Sequence, residues 1–181
     1  MPARISQLIV KYEILKHYQD AIFGNGNSEQ LLLDLSCGTR TDIREVVEGL
    51  GSRWVGVDQF DWPGVIKADV HHLPFENSMF DVVLSAATFE HYYDSWQVAR
   101  EVHRVLKPDG LFCGLIAFLQ PWHGDYYYHF THLGTRQMLS VSGFEVIDIR
   151  AADLSSVVVE AMLSAKCETW RTQDVAGRRR H

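Results

Sequence analysis

Three carboxylates, Asp34, Asp58 and Asp69, each stand at the end of a short apolar run. Leu31-Leu32-Leu33 leads into Asp34, Trp54-Val55-Gly56-Val57 into Asp58, and Val65-Ile66-Lys67-Ala68 into Asp69. The first run continues as Leu35-Ser36-Cys37-Gly38-Thr39-Arg40, a tight turn in which Gly38 lets the backbone approach a ligand closely. Asp58 lies 24 residues after Asp34, with Gln59 beside it. A carboxylate has two acceptor oxygens, which suits the paired hydroxyls of a ribose. Asp69 can accept from an exocyclic amine, and the neighbouring Val70 can flank a purine ring. The set is one that would recognise a nucleoside. Each member also has a plainer reading, because a strand-end Asp is commonly a turn or cap residue.

A second group could move protons. His91 follows the apolar run Phe80–Ser85, and His123 lies in Pro121-Trp122-His123-Gly124-Asp125-Tyr126-Tyr127-Tyr128-His129-Phe130-Thr131-His132. Both histidines are candidate general bases. Tyr126 to Tyr128 can wall a pocket and exclude water. The plainer readings are that the tyrosines pack the loop onto a sheet and that His123 bonds a backbone carbonyl. His123, Asp125, His129 and His132 have side chains that suit zinc or iron, but their spacing matches no strong metal signature, so no metal site is assigned.

These residues need elements to hold them. Residues 5–22 carry Ile5, Leu8, Ile9, Tyr12, Leu15 and Ile22 at helical spacing. That reads as an amphipathic helix packing on its own sheet, with a membrane-surface helix as the rarer alternative. Strands are expected at Leu31–Leu33, Trp54–Asp58, Val65–Ala68, Phe80–Ser85, Leu111–Leu119 and Phe144–Ile149. Helices are expected over 42–50, 95–106 and 135–141. Asp42 with Glu45, and Asp94 with Gln97, have capping-box spacing. Strands alternating with helices predict an α/β, Rossmann-like, doubly wound and mostly parallel sheet of six or seven strands with helices on both faces. A ligand then binds beyond the carboxyl ends of the strands, at the switch point. No convincing seventh strand follows Ile149. Leu154, Val157, Val158, Ala161, Met162 and Ala165 suit a helix better, though Val157–Val159 would make a short strand.

A chain of 181 residues fits a single domain: a helix and linker over 1–28, a core over 31–150, and a C-terminal helix or edge strand with a flexible tail over 151–181. The formal charge of −6 gives no basic face for nucleic acid; the one basic run, Arg178-Arg179-Arg180, is terminal. Three widely spaced cysteines argue against a disulfide framework, and no apolar stretch of about 18 residues predicts a membrane span. The N-terminus lacks signal-peptide features, so a cytoplasmic protein is expected. An uncovered sheet edge would favour a homodimer.

The order of these elements resembles the class I S-adenosylmethionine (SAM)-dependent methyltransferases, in particular their bacterial small-molecule branch. Leu33-Asp34-Leu35-Ser36-Cys37-Gly38-Thr39 resembles the first family motif, Val57-Asp58 the second-strand acidic position, and Ala68-Asp69-Val70 with Leu73-Pro74-Phe75 the adenine-side loop. Phe80–Ser85 with Phe89-Glu90-His91, and Glu101–Gly110, resemble the fourth strand and the approach to the fifth. The resemblance implies SAM as cofactor. Asp34 and Leu35 would orient the loop, Ser36, Cys37 and Gly38 would line the methionine, and Asp58 with Gln59 would hold the ribose. Asp69 and Val70 would take the adenine, and Ser85 and Ala86 would approach the sulfonium. Two positions depart from the family's Asp-x-Gly-x-Gly-x-Gly: Ser36 replaces the first glycine and Arg40 the last. Ser36 is small enough to substitute if its φ is negative.

The implied activity is methyl transfer to a small-molecule acceptor by in-line displacement, with no nucleic-acid or membrane partner. The alternative is a non-catalytic methyltransferase-like binding or assembly protein. A nicotinamide oxidoreductase would want Gly-x-Gly-x-x-Gly after the first strand, which is missing.

Overall fold

The computed structural model describes residues 29–39, 42–117, 124–151 and 160–167, with side chains described as far as Ile149. The predicted helix over 5–22, Arg40, His123 and the terminal tail lie outside the described residues. Seven strands form one sheet: β1 (Leu31–Leu35), β2 (Arg53–Asp58), β3 (Ile66–Lys67), β4 (Phe80–Ala86), β5 (Leu106–Ala117), β6 (Phe144–Ala151) and β7 (Glu160–Cys167). Their order is β3-β2-β1-β4-β5-β7-β6. β1 to β5 pair in parallel, while β7 pairs antiparallel with both β5 and β6. The α/β, Rossmann-like expectation is therefore met.

The C-terminal helix expected over 154–168 is not: residues 160–167 are β7. Glu, Ala, Met, Leu and Lys favour helices in isolation. Here β7 lies between two strands, and an inner strand needs no polar–apolar alternation to declare itself.

Strand period sorts the core. Leu33 and Leu35 share one face with Val83, Phe112 and Ile116, beneath α2 (Ser95–Val105) and α3 (His132–Val141). Leu32 shares the other face with Val82, Leu84, Cys113 and Leu115, against Ile43 and Val47 of α1 (Asp42–Gly49). Asp94 caps α2 by accepting from the Gln97 backbone N–H at 2.9 Å. The reciprocal half of the expected capping box is replaced, because the Asp94 N–H donates to His71 Nε2 at 3.4 Å and Gln97 Oε1 accepts from Arg100. Arg104 then ties α2 to the 73–77 loop: it donates to the carbonyls of Leu73 and Phe75 and pairs with Glu101, which itself accepts from the Leu73 N–H.

A candidate cofactor cavity at the switch point

The sheet reverses its winding between β1 and β4, and the carboxyl ends of β1, β2 and β4 open onto a cavity of about 920 Å³. That volume lies near the upper end for small-molecule sites. Of the residues expected to bind a cofactor, Ser36, Gly38, Asp58, Gln59, Asp69 and Val70 line it, and His91 lines it from the opposite wall. Asp34, Leu35, Cys37, Ser85 and Ala86 do not; they are buried behind it. Asp34 faces the α1 layer and accepts from Trp54 Nε1 at 3.2 Å. Gly56 allows that contact, since a Cβ there would run into the Trp54 ring and Cys37 Sγ.

Asp58 is the hub of the first wall. Its Oδ2 accepts from the Gly38 N–H and its Oδ1 from the Phe60 N–H, both at 2.9 Å. One carboxylate thus fixes the turn after β1 and the turn after β2. Each carboxylate oxygen has two acceptor positions, so capacity for ligand hydroxyls remains. Gly38 has φ +61, and a Cβ there would meet nothing within 4 Å, so its backbone is open to the cavity. Beyond β3, Ala68 and Val70 offer an apolar flank and Asp69 a carboxylate. Asp69 Oδ1 accepts from the His71 N–H at 2.9 Å and lies 2.6 Å from His71 Nδ1. The backbone N–H of His71 is the largest influence holding the Asp69 carboxyl below its ordinary value. His71 Nε2 accepts from the Asp94 N–H, so its proton sits on Nδ1, and its ring stacks on Tyr93 at 3.9 Å.

Ser36 overturns one expectation. Its φ is +50, not negative. It stands where a glycine would be unstrained, at a cost of about 1–2 kcal/mol for an L-residue. Ala87, just past β4, has φ +54, so two non-glycine residues with this backbone flank the switch point. The Ser36 hydroxyl lies 2.9 Å from the Tyr92 hydroxyl. Tyr92 in turn donates to Thr88, which meets Ser85. Burial pushes the Tyr92 phenol up to about 12.

On the second wall, a 3₁₀ turn over Phe89–His91 grips the 124–130 segment. The Glu90 carbonyl accepts from the N–H groups of Tyr127 and Tyr128, and His91 Nδ1 lies 2.5 Å from the Asp125 carbonyl. A carbonyl only accepts, so Nδ1 carries the proton and the lone pair of neutral His91 is on Nε2. Tyr128 donates to the Tyr93 carbonyl and packs edge-on against Trp96, which supports the plainer packing reading for that tyrosine. Tyr127 instead lines the cavity. No cluster of metal-binding type occurs among the described residues. No helix among them is long and apolar enough to cross a membrane.

The lining also includes Phe60, Trp62, Lys67, His71, Thr88, Tyr92 and Tyr93, none of which was singled out from the sequence. Only adjacency signals them: Phe60 follows Asp58 and Gln59, and Tyr92 follows His91.

Residues 33–114 match the family described as a methyltransferase domain. This stretch is thus similar to a methyltransferase domain. The cofactor of such a domain is S-adenosylmethionine, and the cavity suits it: an open Gly38 backbone, the Asp58 carboxylate and the Val70 flank lie along one wall. Among curated relatives, the mitochondrial arginine-hydroxylase NDUFAF5 of Danio rerio is 32% identical over 117 residues, covering 58% of this chain and 36% of its own. The sterol 24-C-methyltransferase erg6 of Schizosaccharomyces pombe is 31% identical over 98 residues, covering 45% of this chain and 26% of its own. The chain thus spans only about a quarter to a third of the length of these relatives. The solved structure of Burkholderia thailandensis 1,6-didemethyltoxoflavin-N1-methyltransferase, with bound 1,6-didemethyltoxoflavin and S-adenosylhomocysteine, has a TM-score of 0.71 at 17% identity. It covers 86% of this chain and 79% of that one. At that identity the likeness bears on the fold.

Proposed function

We propose that this chain binds SAM in the switch-point cavity and directs its methyl group to a small-molecule acceptor entering beside His91. The observation that carries the reading is Asp58: one buried carboxylate faces the cavity while holding the Gly38 turn and the Phe60 turn in place. Asp58 and Gln59 would take the ribose, Ala68, Asp69 and Val70 the adenine, and Ser36 and Gly38 the methionyl portion. Bound SAM supplies an activated methyl group. The chain's own task is therefore mostly positioning, for which well-oriented reactants gain on the order of 7–11 kcal/mol.

Where the acceptor must lose a proton, His91 is the base. Its Nδ1–H is anchored on the Asp125 carbonyl, which sets the tautomer and presents Nε2 as the basic nitrogen. Tyr127 walls the same side and excludes water. His123, outside the described residues, remains a second candidate. The net charge of −6 favours a small acceptor over nucleic acid.

Calorimetric titration with SAM, S-adenosylhomocysteine and NAD tests the cofactor assignment; the first two should bind and NAD should not. Failure of the first two to bind leaves the alternative, a non-catalytic binding or assembly protein. The likeness to an arginine-hydroxylase sets a further control: SAM-dependent products should gain a methyl group, 14 mass units, and not an oxygen, 16.

A further inference from the structure

Four hydroxyls run in a chain from the cavity lining, at Ser36, Tyr92 and Thr88, inward to the buried Ser85. Ser36 Oγ lies 2.9 Å from the Tyr92 hydroxyl, Tyr92 donates to Thr88 Oγ1 at 2.8 Å, and Thr88 Oγ1 lies 2.6 Å from Ser85 Oγ. A phenol has a single O–H. Tyr92 gives its hydrogen to Thr88, so Ser36 must be the donor in the Ser36–Tyr92 bond. Serine too has one hydrogen, together with two acceptor lone pairs. With that hydrogen aimed at Tyr92, Ser36 shows the cavity lone pairs alone. Such a surface accepts from an ammonium group and repels a carboxylate.

The same bond bears on the backbone. Ser36 has φ +50, a region in which glycine is at ease and serine is not. Its side chain is tied to a tyrosine that is only 6% exposed and sits 56 residues away in sequence. Desolvation keeps that phenol protonated up to about 12, so the donor pattern does not change near neutrality.

We propose that Tyr92 is a positioning residue for the cofactor: its hydroxyl holds Ser36 in the left-handed conformation and turns the Ser36 lone pairs toward the α-ammonium of the methionyl group. This rests on the reading of the cavity as the SAM site. Ser36 and Tyr92 form a matched pair in which the tyrosine makes a non-glycine residue workable at a glycine position.

Two probes separate the parts of the ligand. S-adenosylhomocysteine has the nucleoside and the amino-acid group, whereas 5′-methylthioadenosine has the nucleoside and thioether alone. Calorimetry on Tyr92→Phe should show about a five- to tenfold loss of S-adenosylhomocysteine affinity, the worth of one hydrogen bond. Methylthioadenosine affinity should change by less than about twofold. In a Ser36→Gly background, adding Tyr92→Phe should cost less than about twofold for either probe, because glycine needs no support.

A Tyr92→Phe penalty that persists in the glycine background, or that falls equally on both probes, overturns the proposal and marks Tyr92 as ordinary packing. Variants that all bind like the wild type overturn it too, while leaving the SAM site in place. A wild-type protein that binds neither probe overturns the cavity assignment itself, and this proposal with it. Should Tyr92→Phe fail to fold, Ser36→Ala, which lacks the hydroxyl, must show the same selective loss.

Discussion

Replacing Asp58 with asparagine keeps the shape of the side chain and removes its charge. The carboxylate accepts from two backbone N–H groups, those of Gly38 and Phe60, at 2.9 Å each. An asparagine offers one acceptor oxygen, so its NH₂ must face one of these N–H groups, donor against donor. A hydrogen bond to a charged acceptor contributes about 1.5–3 kcal/mol and a neutral one about 0.5–1.5. Losing one charged bond and weakening the other costs about 2–4 kcal/mol, since Asp58 is buried and water cannot fully substitute. For a domain of this size that lowers Tm by on the order of 5–15 °C. Ligand affinity should fall separately, because a ribose hydroxyl loses its charged acceptor; about 1.5–3 kcal/mol corresponds to roughly 10- to 150-fold. Differential scanning fluorimetry reads the first effect and calorimetry with S-adenosylhomocysteine the second. An unchanged Tm would refute the bridging role derived from the geometry. A lowered Tm with unchanged affinity would mean that the ribose lies elsewhere.

Gly56→Ala places a Cβ 2.7 Å from Cys37 Sγ and closer still to the Trp54 ring. It should displace that ring, break the Trp54–Asp34 bond and lower stability by about 1–3 kcal/mol in chemical denaturation. Glu101 is held below its ordinary value of 4.5, chiefly by the Arg104 side chain. A depressed carboxyl stabilises the fold above its unfolded value, and that contribution is lost as pH falls through the folded one. Glu101→Gln should therefore lower stability at neutral pH and flatten the decline below about pH 4.5, followed by urea midpoints. Tyr92 has the opposite sign. Its phenol rises from 10.0 to about 12, so its contribution is intact below pH 10 and disappears as pH climbs toward 12. Tyr92→Phe should remove that alkaline decline. Burial raises the Cys113 thiol to about 12. Peptide mapping after iodoacetamide treatment near neutrality should find Cys113 unmodified until the protein is unfolded.

Much of the site could be read from strand ends. Asp58 and Val70 line the cavity because a parallel strand buried on both faces shows as an apolar run, and its carboxyl end is where the ligand crevice opens. Side-chain direction along that run was harder to read. Asp34 shares a face with Leu32, so it meets Trp54 rather than the cavity, although its motif position resembles a ligand contact. The conformation of Ser36 was not legible locally, because the hydroxyl that supports it comes from Tyr92, distant in sequence. The Asp94 cap was legible from spacing alone. Its missing reciprocal half was not, because the Asp94 N–H donates to His71, distant in sequence, in place of Gln97. β7 was misread for a related reason: its helix-favouring residues pair with strands on both sides, and neither pairing leaves a local mark.

The position of β7 has a consequence for the order of assembly. β6 precedes β7 in the chain, yet β7 is its strand partner in the sheet, so β6 joins the sheet through a strand that is made after it. The partners of β7 in β5 lie some tens of residues upstream, with Leu111 opposite Lys166 and Ala117 opposite Glu160. Until β7 pairs, the outer edge of β5 and the backbone of β6 present unpaired N–H and C=O groups, the template on which nascent chains cross-pair. β1 to β5 all precede residue 118 in the chain, so they can pair before residues 160–167 have been made. The nascent protein should therefore hold a nearly formed cavity while the opposite half of its sheet is still open, and chaperone dependence should track the arrival of residues 160–167.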